Sequence, residues 1–121
     1  DTVQQTAMLS LLQSTVQRQP NTFTQLLLRS CIVLEDNSLK LLAAKLKTNL
    51  KHLDLTNCAQ LTQQSLMSLK SMPNLEQLIL DQNPWLESAE FNYVQLKYFS
   101  AKKCERLEKI SIRSNALHTI E

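Results

Sequence analysis

His52 and Asp54 stand two residues apart, a spacing that turns both side chains to the same side of an extended strand. A histidine beside a carboxylate is the core of a general-base unit. No nucleophile or oxyanion-hole motif accompanies the pair, so no catalytic residue is expected. Three cysteines, Cys31, Cys58 and Cys104, together with two histidines, have the composition of a zinc site. None of them lies in C-x-x-C spacing, so neither metal nor cofactor is expected. The chain also has no glycine in 121 residues, where average usage would supply roughly 8. A P-loop, a dinucleotide-binding turn, a nucleophile elbow and an EF-hand all need glycine where backbone meets a ligand or takes positive φ. Those chemistries are excluded, and with them the Asn-Gly hairpins of an antiparallel barrel.

The remaining composition points to one folded domain. Hydrophobic residues make up 43%, charged residues 20%, and leucine alone occupies 24 positions. A net charge of +2 gives no broad attraction to nucleic acid or to an anionic membrane. The basic group Lys97, Lys102, Lys103, Arg106 and Lys109 is interrupted by Glu105 and Glu108, and reads as a solvated face. No apolar run approaches the 18 or so residues of a membrane span. No signal peptide or N-x-[ST] sequon is visible, and a cytoplasmic location is expected.

The elements that must position these residues come from an internal repeat. The pattern L-x-x-L-x-L-x-x-[CN] starts at Phe23, Leu50, Leu75 and Leu96, and a fifth copy begins at Leu117, giving spacings of 27, 25, 21 and 21. Its clearest copies are Leu50-Lys51-His52-Leu53-Asp54-Leu55-Thr56-Asn57-Cys58 and Leu75-Glu76-Gln77-Leu78-Ile79-Leu80-Asp81-Gln82-Asn83. Leucines at the fourth and sixth positions alternate as in a short strand with one buried face. One such unit cannot bury its apolar side alone, so units must stack into a parallel sheet over a continuous core. At the ninth position the chain leaves the strand and the side chain turns inward. Asn83 is expected to bond backbone there, and the three cysteines to form a small buried ladder. Cys31 and Cys58 would lie on adjacent strands, about 4.8 Å apart, a separation that does not forbid a disulfide. The odd cysteine count favours reduced thiols.

These motifs resemble the leucine-rich repeat family over about residues 20–121. The stretch from Cys58 to Leu66 is similar to the cysteine-containing subtype common in substrate receptors of ubiquitin ligases, whereas the two 21-residue repeats look like shorter kinds. The resemblance implies an α/β solenoid: a right-handed superhelix with a parallel concave sheet and helices or turns on the convex side. Two units are expected: residues 1–19, an N-terminal helix acting as cap or as back helix of a preceding repeat, and 20–121, the repeats. The helix is read over 3–18, with Val3, Ala7, Met8, Leu11 or Leu12 and Val16 inward and Pro20 ending it. Leu39, Leu42, Ala43 and Leu46 fall on one helical face, with Asn37 or Ser38 as cap. Leu66, Leu69 and Met72 do the same after Thr62, before Pro73. The backs at 84–95 and 105–116 are too short for helices and read as turns, 3₁₀ or extended chain. Without glycine, any positive φ is expected at Asn37, Asn57, Asn83 or Asn115.

The third, fifth and seventh motif positions would line the concave face in lateral rows. The third-position row is Gln25, His52, Gln77, Tyr98 and Thr119; the fifth is Leu27, Asp54, Ile79 and Ser100, with Glu121 at its end; the seventh is Arg29, Thr56, Asp81 and Lys102. Leu27 and Ile79 are apolar where solvent is expected, and Tyr98 adds an aromatic anchor. Asp81 and Lys102 are expected to pair across strands. Trp85 stands at the rim. The expected function is a non-catalytic protein-binding module with this face as its surface. The resemblance offers three settings for it: an effector of an intracellular bacterium acting in a host cytosol, the substrate-recognition part of a ubiquitin-ligase adaptor, or a targeting domain of a larger enzyme. The fifth motif is cut at Glu121, so its open edge is expected to pair with further chain, a partner or a second copy.

Overall fold

The computed structural model describes residues 2–19, 23–70, 72–93, 95–114 and 119–121. Helix α1 (Thr2–Arg18) is followed by strand β1 (Gln25–Leu27), helix α2 (Asp36–Leu46) and strand β2 (His52–Asp54). A 3₁₀ turn (Gln63–Ser65) runs into the short helix α3 (Leu66–Leu69). Then come β3 (Gln77–Ile79), β4 (Ser88–Asn92), β5 (Tyr98–Ser100), β6 (Lys109–Arg113) and β7 (Thr119–Ile120).

The strands form two sheets, both parallel. The larger has the order β1-β2-β3-β5-β7, so strands that are successive in the repeats are also neighbours in space. Gln25 pairs with His52, His52 with Gln77, Gln77 with Tyr98 and Tyr98 with Thr119. These ladder offsets equal the motif spacings of 27, 25, 21 and 21. The second sheet joins β4 to β6, with Ala89 opposite Ile110 and Phe91 opposite Ile112. The short backs are therefore extended, and a 21-residue phase makes their apolar positions ladder partners. No helix among the described residues is long and apolar enough to cross a membrane.

Between the two layers lies one leucine core. Leu26, Leu53, Leu78 and Phe99 project into it from the fourth motif position, and Leu55 and Leu80 from the sixth. From the backs come Leu39, Leu42, Ala43 and Leu46 of α2, Leu66 and Leu69 of α3, and Ala89 and Phe91 of β4. Tyr93 continues the β4 alternation inward; it stacks on Phe91 at 5.0 Å and its hydroxyl donates to the Leu69 carbonyl, which ends α3. Sequence reasoning did not place Tyr93 in the core, although the period-two run Ala89, Phe91, Tyr93 carries the signal.

Several local expectations are corrected. In α1 the inward face is Leu9, Leu12 and Val16, with Gln5 half-buried, while Val3, Ala7, Met8 and Leu11 are exposed. Gln5 clips the helix to the loop after β1, donating from Nε2 to the Ser30 carbonyl (3.1 Å) and accepting from the Ile32 amide (2.9 Å). That contact rotates the helix away from the face its apolar residues alone suggest. Asn37 and Ser38 do not cap α2, whose N-cap is Glu35 without a side-chain bond. Asp36 accepts instead from the Thr62 amide (2.8 Å) and hydroxyl, tying the start of α2 to the next repeat. Thr62 in turn caps the 3₁₀ turn by accepting from the Gln64 amide. Helix α3 ends at Leu69, before Met72 and Pro73.

Positive φ falls on Ser30, Asn57, Gln82 and Lys103, with values of 53–58°. Each is the eighth residue of its motif, where the chain must turn out of the strand so that the ninth side chain can turn in. Asn57 is the one expected residue on that list. Asn37 and Asn83 are not on it, because Asn83 occupies the ninth position. Asn115, like Pro20, Asn21, Val94, Leu117 and His118, lies outside the described residues.

Candidate functional site

The candidate site is the outer side of the five-stranded sheet. Three-residue strands leave little chain to specify it, and its shape comes from the ladder beneath. Gln25, Leu27, Arg29, Gln77 and Lys102 are exposed there, and His52, Ile79, Asp81 and Tyr98 are half-buried. The sheet thus brings most of the three predicted rows to one surface. Thr119 joins the ladder opposite Tyr98.

Asp54, Thr56 and Ser100 depart from the expectation of exposed side chains: all three are buried, between 0% and 6% exposed. Their neighbours explain it. Asp54 Oδ1 accepts from the Thr56 amide (2.9 Å) and hydroxyl (2.6 Å), and its Oδ2 meets Arg29 Nε at 3.3 Å. Ser100 donates to Asp81 Oδ1 at 2.5 Å, and the same oxygen accepts from the Lys102 backbone amide at 2.8 Å. Asp81 therefore holds the Lys102 backbone and not its ammonium, which corrects the expected side-chain ion pair. Lys102 Nζ reaches Glu121 instead, at 2.9 Å, and Tyr98 Oη donates to the same carboxylate. These two contacts hold the Glu121 carboxyl below its ordinary range, first through the Tyr98 hydrogen bond and then through Lys102. Asp54 is committed to Thr56 and Arg29, so it is not arranged to orient His52 as a base.

The ninth motif position forms a hydrogen-bonded ladder behind this face. Cys58 Sγ donates to the Leu28 carbonyl (3.0 Å) and Cys104 Sγ to the Leu80 carbonyl (3.1 Å). Asn83 Nδ2 donates to the Leu55 and Leu80 carbonyls, both at 2.9 Å, while its Oδ1 accepts from the Cys58 amide at 2.9 Å. Burial pushes the Cys58 thiol up to about 11 and raises that of Cys104 as well. All three cysteines are free thiols, Cys31 being half-buried. Among the described residues no group of His, Cys, Asp and Glu is clustered to hold a metal ion. Trp85 is half-buried against the core, and its Nε1 donates to the Cys58 carbonyl and to Asn83 Oδ1, each at 3.1 Å. Within the basic group, Lys97 pairs with Glu76 (3.3 Å) and Lys109 with Glu90 (2.8 Å).

Sequence reasoning missed the contribution of α1, whose Met8 stands beside Leu27 at the β1 end of the sheet. The signal was present as an apolar surplus in that helix, more residues than one face can bury. No protein-family model, curated protein or solved structure matches the chain.

Proposed function

We propose that the chain is a leucine-rich repeat solenoid that binds a partner protein on its strand-lined, concave face and carries out no catalysis. One observation carries this reading: the ladder register equals the motif spacing, which sets Gln25, Leu27, His52, Gln77, Ile79 and Tyr98 side by side on a hydrogen-bonded sheet. Such a surface needs little ordering on binding, so less of the contact energy is lost. Its mixture of aliphatic, aromatic and polar side chains suits the centre of a protein interface. Asp54, Thr56 and Ser100 act beneath that surface, fixing Arg29 and Asp81 in place. Free cysteines at three of the four ninth positions favour a reducing compartment, and we place the protein in the cytoplasm.

Photo-crosslinking tests this reading. A benzophenone amino acid is placed at Ile79 or Tyr98, and at Met67, an exposed position on α3. In cell extract, the two sheet positions should trap the same protein, in competition with unlabelled chain, and Met67 should not. Equal trapping at Met67, or none at the sheet positions, would overturn it.

A further inference from the structure

We propose that the groove between α1 and the outer edge of β1 takes an extended peptide that offers an apolar side chain followed by a carboxylate. The proposal rests on the reading of the sheet as a protein-binding face and names what one end of it recognises. The groove encloses about 370 Å³ and is lined by Gln5, Met8, Leu12, Leu27, Leu28 and Arg29, among others. Met8 is 70% exposed and Leu27 60%. One exposed apolar side chain is ordinary, but two lining the same cleft form an anchor pocket. The Gln5 bonds to Ser30 and Ile32 fix the helical wall.

The backbone supplies a second recognition element. The Thr24 carbonyl and the Leu28 amide bond to β2. Strand alternation turns the amides and carbonyls of Gln25 and Leu27 the other way, where no strand lies among the described residues. A free edge of this kind accepts an added strand, with main-chain bonds giving affinity and side-chain pockets giving specificity.

Charge selects the sign of the partner. Helix α1 contains no acidic residue, and Arg29 is the charged side chain in the groove lining. Asp54 grips Arg29 through Nε, on the inner edge of the guanidinium, yet the Arg29 side chain stays 67% exposed. Asp54 is itself locked by Thr56. The outer guanidinium edge is thereby presented to solvent in a fixed orientation, which suits bidentate pairing with a carboxylate.

The test pans a random-peptide phage library against the full chain and titrates a fluorescein-labelled synthetic copy of the most enriched sequence. The enriched peptides should share an apolar residue followed closely by Asp or Glu. Met8→Asp, Leu27→Asp and Arg29→Glu should each weaken binding about tenfold or more, a loss of about 1.4 kcal/mol. Met67→Asp, at an exposed position on α3, should leave it unchanged, and N-methylation of alternate peptide amides should abolish it. Circular dichroism checks each fold, with Arg29→Gln as the milder charge variant. No enrichment, or enrichment of basic peptides, would overturn the proposal. Binding lost with Ile79→Asp but kept by the groove variants would overturn it too, while leaving the sheet-face reading standing.

Discussion

Replacing Asn83 by alanine should cost about 2–6 kcal/mol, and replacing it by cysteine about half as much. Asn83 is fully buried and serves four backbone or indole groups. Two of these keep another partner when it is truncated: the Leu80 carbonyl still accepts from Cys104, and Trp85 Nε1 still donates to the Cys58 carbonyl. The other two, the Leu55 carbonyl and the Cys58 amide, depend on Asn83. A buried backbone group left unpaired costs about 1–3 kcal/mol, and two of them give the range stated. Cysteine at this position can still donate to the Leu55 carbonyl, as Cys58 and Cys104 donate to Leu28 and Leu80 in the neighbouring repeats. Only the Cys58 amide would then lose its partner. Urea unfolding followed by far-ultraviolet circular dichroism and by Trp85 fluorescence measures both variants. If Asn83→Cys is no more stable than Asn83→Ala, the ninth-position ladder is not held together by donation to these carbonyls. An alanine cost below about 1 kcal/mol would refute the same reasoning.

Four further outcomes follow from the backbone, the thiols and the core. Gln82→Gly and Lys103→Gly should each raise stability by about 0.5 kcal/mol in urea unfolding, because relief of left-handed strain exceeds the added entropy of the unfolded chain; Gln82→Val should lower it. Native alkylation read by mass spectrometry should modify Cys31 well before Cys58 or Cys104. Because burial raises the folded Cys58 thiol from 9 to about 11, its contribution to stability is complete below pH 9 and falls away as pH rises through 11, which alkaline unfolding series should register. Tyr93→Phe should cost about 1 kcal/mol in thermal or urea unfolding, since it removes the hydroxyl that donates to the Leu69 carbonyl.

The strand positions were legible in the sequence because the repeat fixes both spacing and side. Once Leu53 and Leu78 are inward, His52 and Ile79 must be outward, and the spacing dictates which residues are neighbours. The face of α2 was equally clear, since Leu39, Leu42, Ala43 and Leu46 recur at i, i+3, i+4 and i+7. What failed depended on side-chain reach across repeats. Asp54 and Ser100 have the pattern of surface residues, and only the packing of adjacent strands and the bonds to Thr56 and Asp81 bury them. Asp36 has the look of a helix-start residue with no distant partner, yet it reaches Thr62 in the next repeat. The face of α1 is not legible from its apolar residues because Gln5, a polar residue, anchors it to Ser30 and Ile32. Residue type alone points left-handed turns to asparagine, whereas position within the motif decides them and puts Gln82 and Lys103 where glycine would be easier.

The surface proposed to bind a protein is the outer side of the five-stranded sheet. Ile79→Asp combined with Tyr98→Ala alters two positions on neighbouring strands of that surface without entering the core. The most direct measurement titrates the partner trapped from Ile79 against the original chain and against this double variant, by calorimetry, with circular dichroism to confirm equal folding. A weakening of about thirtyfold or more is expected, the loss of a hot-spot residue worth about 2 kcal/mol. Unchanged affinity in a folded double variant would contradict it.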